Sequence, residues 1–178
     1  MLKKYIFILS VAIVALTSCK RIKKFTEFDL DYHNKGTIVA SPLISTPLDI
    51  LLPAGSTNTQ EQYENNNTNK DLIEKVMLTQ LEITATSPSN ASLGFLKEIH
   101  IYLSADGLSD IEIAYKNDIP ESIGNYLDLD ETGVELKEYL AKDKVTIRMK
   151  VTNRKANNQD IDVDIHTIFH VDAKILGV

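Results

Sequence analysis

A chain of 178 residues with 43% hydrophobic side chains can bury one sizeable core, and its length argues for a single folded domain. Its 25 acidic residues outnumber 19 basic ones, and a net charge of −6 argues against nucleic-acid binding, whose electrostatic footprint is a basic patch. Cys19 is the single cysteine, which excludes an intrachain disulfide and leaves burial to supply the stability.

The first segment reads as a targeting signal. Lys3 and Lys4 precede an apolar run over residues 5–16, and Leu16, Thr17 and Ser18 lead directly into Cys19. A basic start, an apolar stretch and a small-residue site are the layout of a secretory signal. The apolar run is about a dozen residues, short of the roughly 20 needed to span the hydrocarbon core. Small side chains at Thr17 and Ser18 leave the backbone accessible to a peptidase, and a thiol is a nucleophile able to take up a diacylglyceryl group. The segment resembles a bacterial lipoprotein signal, whose lipobox has the form Leu-small-small-Cys. That resemblance implies cleavage before Cys19 and lipidation of its thiol, so the expected layout is a signal at 1–18, a lipidated tether at 19–24 and one domain over 25–178. Two or more acyl chains anchor stably where one does not, each buried methylene contributing about 0.8 kcal/mol.

Losing Lys3 and Lys4 leaves 17 basic residues against 25 acidic ones, a net charge of −8. Lys20, Arg21, Lys23 and Lys24 follow the anchor directly. They either sit against anionic headgroups, at about 1 kcal/mol each, or form a solvated tether. The lipobox and the Asn-, Lys- and Ile-rich composition are together similar to lipoproteins of the Bacteroides and Flavobacterium group. In that group, acidic residues after the cysteine accompany surface export. The basic residues here therefore imply a cell-envelope location facing the periplasm, with the membrane as partner through Cys19.

From residue 25 onward the dominant period is two, the mark of half-buried strands. Phe28, Leu30 and Tyr32 alternate with Asp29 and Asp31. Met77, Leu81, Ile83 and Ala85 share one parity over residues 76–86. Ile99, Ile101 and Leu103 alternate with polar residues, as do Ile111, Ile113 and Tyr115, and Val145, Ile147, Met149 and Val151. Ile161, Val163, Ile165, Phe169 and Val171 alternate with Asp160, Asp162, Asp164, His166 and His170. Weaker strand patterns cover residues 37–40, 47–52 and 125–129. Asp106 and Gly107 form a hairpin signal. Helical turns are expected near residues 134–142, with Leu136, Tyr139 and Leu140 inward, and near 71–75. The polar stretch 56–70, with Tyr63 its one aromatic, reads as a disordered connector. The expected fold is all-β, an antiparallel β-sandwich of the immunoglobulin-like or jelly-roll type with about eight or nine strands.

No catalytic signature emerges. HExxH, CxxC, GxSxG, GxGxxG and Walker patterns are missing, and the histidines His33, His100, His166 and His170 belong to no motif. Asp162, Asp164 and His166 have ligand chemistry, but alternate residues on one strand face are about 7 Å apart, placing Asp162 and His166 about 13 Å apart, too far for one ion. A hairpin between residues 145–152 and 160–171 accounts for them better, with Lys150 opposite Asp162 and Arg148 opposite Asp164, each pair contributing about 0.2–1 kcal/mol. Asp128, Asp130, Glu131, Thr132 and Gly133 begin like a calcium loop, yet the twelfth position is Tyr139 and no helix precedes, so a plain turn is expected. No metal and no cofactor are expected. With no Trp and 7% aromatics, platforms for a glycan are few; Tyr63, Tyr102 and Tyr126 are the candidate binding residues, and Tyr115 reads as core.

These readings favour a membrane-anchored envelope lipoprotein acting as a non-enzymatic binding or structural module, with a protein or glycan partner. A lipid-anchored hydrolase whose site is assembled from separate strands is the alternative, as is a calcium- or carbohydrate-binding module.

Overall fold

The computed structural model describes residues 27–52, 63–66, 68–142 and 144–174. The signal, Cys19 and the basic tether lie outside these residues. Among the described residues the strands and the helix α1 follow in chain order: β1 (Glu27–Ile38), β2 (Pro47–Leu51), β3 (Ile73–Ser87), β4 (Leu96–Ala105), β5 (Ile111–Lys116), β6 (Tyr126–Asp128), β7 (Asp130–Glu131), α1 (Lys137–Leu140), β8 (Val145–Asn153) and β9 (Ile161–Ala173). The strands form two sheets, ordered β1-β9-β3-β6 and β2-β8-β4-β5-β7, with every pair antiparallel.

The sandwich expected from the alternation is therefore present, and the strand order decides its type. The pairs β1 with β9, β2 with β8, β3 with β6 and β4 with β5 are nested, first strand with last. Such a set of nested antiparallel pairs, wrapped so that successive pairs alternate between sheets, is a jelly roll. The inner faces share one core. Leu30, Val76, Leu81, Ile83, Ile99, Ile101, Ile113, Met149, Val151, Ile165 and Val171 are all fully buried in it. Burying one such side chain contributes roughly 1.5–3 kcal/mol. Thr167 completes the inward row of β9, also fully buried.

The nesting corrects one expectation. β8 and β9 are consecutive in sequence yet lie in different sheets, so no 145–152/160–171 hairpin forms. Arg148 faces Leu51 and Tyr102 across its ladders, and Asp162 faces Thr37. In a nested fold the last strand returns to the first, and β9 pairs along its length with β1.

Two parities were also misread, both because of bulges. The β3–β9 register slips between Leu78 and Gln80, so Val76 and Leu78 point inward, then Leu81 and Ile83; Met77 belongs to the outer face. The β4–β5 register slips between Ile101 and Tyr102. Ile113 and Ala114 are consequently both buried, and Tyr115 turns outward to stack on His100 at 6.2 Å between ring centroids. A bulge inserts one unpaired residue and inverts the alternation beyond it.

The turn signals fared better. β4 and β5 form the expected hairpin, with Gly107 at φ +78, a conformation glycine adopts without steric cost. Helix α1 lies within the expected 134–142, with Leu136 and Leu140 buried, whereas the turn expected near 71–75 covers Lys70–Leu72 and gives way to β3 at Ile73. Tyr63 falls in the stretch read as disordered, yet it is buried against Phe28 in an edge-to-face pair at 6.3 Å. Most of that stretch, residues 56–62 and 67, lies outside the described residues.

Candidate functional site: the outer face of the four-stranded sheet

The strands of the first sheet turn their polar parity outward, and the nested pairing brings together residues far apart in sequence. His33 on β1 lies directly opposite His166 on β9, and His166 lies opposite Glu82 on β3, which lies opposite Asp128 on β6. One row across the sheet therefore reads His33, His166, Glu82, Asp128. Side chains directly opposite across an antiparallel pair have Cβ atoms about 4.5–5.5 Å apart. The His33 and His166 rings stack with centroids 4.4 Å apart and planes 5° from parallel.

Carboxylates surround this pair. His33 Nδ1 is 2.7 Å from Asp164 Oδ2, and His166 Nδ1 is 3.4 Å from Glu82 Oε2. Asp31 lies beside the stacked rings at their Nε2 edges, its Oδ1 lying 2.9 Å from His166 Nε2 and 4.0 Å from His33 Nε2. One ligand atom from each of Asp31, His33 and His166 falls within 4.8 Å of the others. Four residues further along both strands, His170 Nδ1 is 2.8 Å from Asp29 Oδ1. Three of the four histidines thus share one face. Burial lowers the His166 pKa, but hydrogen bonds to Glu82 and Asp31 outweigh it, and the net shift is upward. Glu82 is held below its ordinary value, chiefly by the Tyr126 hydroxyl, which donates to Oε1 at 2.5 Å. The same hydrogen bond pushes the Tyr126 hydroxyl up to about 12.

A cavity of about 880 Å³ adjoins the face, lined by Lys35, Thr37, Ile50, Leu51, Thr84 and Asp164 among others. Asp164 belongs to both the cavity wall and the histidine cluster.

The residues nominated from sequence do not converge. Tyr63 is a core residue, so it offers no exposed platform; its burial raises the hydroxyl pKa. Tyr102 lies on the opposite sheet, with the Arg148 guanidinium 4.7 Å above its ring. Tyr126 is exposed, on the histidine face. Asp162, Asp164 and His166 lie along one strand as expected, and Asp162 accepts from the Thr37 hydroxyl at 2.8 Å. The grouping missed from sequence is the one across strands: Asp31 and His33 with His166. Its signal was the repeated Asp-x-Asp-x-His pattern at 29–33 and 162–166. His100 is bonded to Glu112 at 2.5 Å on the other face, and Asp130 takes an ion pair from Lys116 in the strand and turn that replace a calcium loop.

No family model matches the chain, and no curated protein is similar to it. Among solved structures it is similar to the C-terminal domain of a chitobiase from Bacteroides fragilis, at 12% identity and TM-score 0.32, over 74% of this chain and 66% of that one. It is also similar to a Clostridium perfringens module titled CpGH89CBM32-5, in complex with GalNAc-β-1,3-galactose, at 8% identity and TM-score 0.38, over 81% and 97%. A third similarity, to the VP2 subviral particle of infectious bursal disease virus, has 10% identity and TM-score 0.41, over 83% and 32%. Scores this low leave the fold to be read from the strands themselves.

Proposed function

We propose that this chain is a lipid-anchored cell-envelope protein, held at a bacterial membrane through Cys19 and facing the periplasm, whose sandwich acts as a non-enzymatic binding module. Its working surface is the outer face of the four-stranded sheet. The observation that carries the binding role is the convergence of Asp29, Asp31, His33, Asp164, His166, His170 and Glu82 on that one face. Among the described residues each imidazole is hydrogen-bonded to a carboxylate and to no hydroxyl or thiol, which supports recognition over nucleophilic catalysis. The partner is a protein or a glycan. No helix among the described residues is long and apolar enough to cross a membrane, and the lipobox supplies the anchor in this reading.

Mass spectrometry of the chain purified from its own membrane tests the anchor. We expect an acylated Cys19 at the N-terminus, and expect Cys19→Ala to release the protein from the membrane while the sandwich still folds. An unmodified Cys19 inside a longer chain would reject the anchor.

One observation favours a second reading, a lipid-anchored hydrolase: Asp164 joins the histidine cluster to the cavity wall. Turnover of ester, peptide or glycoside substrates that is lost on substituting His33 or His166 would establish it. The binding module predicts no turnover.

A further inference from the structure

We propose that Asp31, His33 and His166 form a binding site for one divalent transition-metal ion of the zinc class. The inference rests on the reading of this sheet face as the working surface and is independent of the anchor.

The hydrogen-bond chemistry leads to it. A carboxylate accepts and cannot donate, so the 2.7 Å contact to Asp164 requires a hydrogen on Nδ1 of His33, while His166 faces a carboxylate through both ring nitrogens, Glu82 at 3.4 Å from Nδ1 and Asp31 at 2.9 Å from Nε2. Neutral His33, protonated at Nδ1, presents a bare lone pair at Nε2, and the hydrogen that joins His166 Nε2 to Asp31 is one that a metal ion can replace. Both Nε2 atoms face the same Asp31 oxygen, at 2.9 Å from His166 and 4.0 Å from His33. A lone pair set against a carboxylate oxygen is repulsive unless a cation stands between them, and either a proton or a metal ion can fill that role.

The donor set selects the kind of metal. Two imidazole nitrogens and one carboxylate oxygen are ligands that zinc accepts, at about 2.0–2.2 Å each. Calcium and magnesium prefer shells made of oxygen alone. The Asp164 and Glu82 contacts are what metal-bound histidines ordinarily make through their second nitrogen, fixing the tautomer and the ring orientation. Closing the three donors around one ion asks for movements of roughly 1 Å. Asp31 and His33 are both 60% exposed, so core packing does not oppose such movements. The open face leaves the fourth position to solvent or to a donor from a bound partner.

This grouping escapes the spacing argument that excludes Asp162 with His166. That argument concerns residues along one strand, whereas these donors come from two adjacent strands and meet across the ladder.

The full lipidated chain in detergent micelles, purified with a tag free of histidine and stripped by a chelator, is titrated with zinc chloride near neutral pH by calorimetry. We expect one ion per chain. His33→Gln and His166→Gln should each weaken binding at least about tenfold, and Asp164→Asn by about tenfold through loss of its support. His100→Gln on the other sheet should leave it unchanged, and circular dichroism should show all variants folded. Calcium chloride at the same concentrations should give no saturable binding. Absence of saturable zinc binding, or binding that survives both His33→Gln and His166→Gln, would overturn the site without touching the anchor, which the Cys19 measurement decides separately.

Discussion

On the outer face of the five-stranded sheet the organising cation is Arg148; on the outer face of the four-stranded sheet it is histidine. Arg148 reaches Asp49 at 2.6 Å and Asp110 at 2.8 Å while its guanidinium covers the Tyr102 ring, and Asp110 also accepts from the Ser104 hydroxyl at 2.5 Å. A guanidinium keeps its charge throughout the physiological range, so that network pairs its charges without any added ion. The histidine face holds Asp29, Asp31, Asp164 and Glu82 around three imidazoles, whose charge depends on what they bind. The two faces are similar in polarity and differ in closure. One supplies its own fixed cation, and the other has room for one.

The largest effect should come from breaking what the two faces share. Ile165→Ala on β9 or Ile101→Ala on β4 removes a fully buried side chain from the common core and should cost about 2–5 kcal/mol by denaturant unfolding. If the sandwich is one cooperative unit, probes on both faces will report the same loss. Separate transitions would show that the faces belong to independently folding halves and would break the comparison.

A smaller effect is expected from Arg148→Ala. It leaves Asp49 and Asp110 without their cation and uncovers Tyr102. The loss should be about 1–2 kcal/mol, since exposed pairs contribute about 0.2–1 kcal/mol each and a cation over an exposed ring about 0.5–1. Zinc should bind the variant as before. A change in zinc affinity would show that the two faces are coupled.

The smallest effect concerns Asp110. The Ser104 hydroxyl bond is the largest single cause, joined by the charge and hydrogen bond of Arg148, that holds its carboxyl below the ordinary value of 3.8. A group whose folded pKa is depressed contributes stability that is present above the unfolded value and is lost as pH falls through the folded one. Ser104→Ala should therefore move the Asp110 carbon resonance midpoint upward in an NMR titration and bring acid destabilisation to a slightly higher pH. An unmoved midpoint would show that Arg148 alone sets it.

The fold was legible in the sequence where the signal was local. Alternation marked β1, β4, β8 and β9 because each buries one face in the core, and Gly107 marked the β4–β5 hairpin. What failed depended on register or on distance. The bulges beside Thr79 and Ile113 turned Met77 and Tyr115 outward, and a single inserted residue leaves no compositional mark. The supposed β8–β9 hairpin followed from adjacency in sequence, whereas the nested pairs place the two strands in different sheets. The site was hidden for the same reason. Asp31 and His33 meet His166 only because β1 pairs with β9, across more than 130 residues of chain. Each strand showed its acids and histidines plainly, and only the topology made them neighbours.

The most direct test is the nitrogen NMR spectrum of the imidazole rings, recorded on the lipidated chain in micelles before and after one equivalent of zinc chloride. The account predicts that Nδ1 of His33 and His166 carries hydrogen when zinc is bound, and that the Nε2 resonances of these two residues move on adding zinc while those of His100 stay in place. Shifts centred on His100, or none at either His33 or His166, would contradict the claim that the four-stranded face is the working surface.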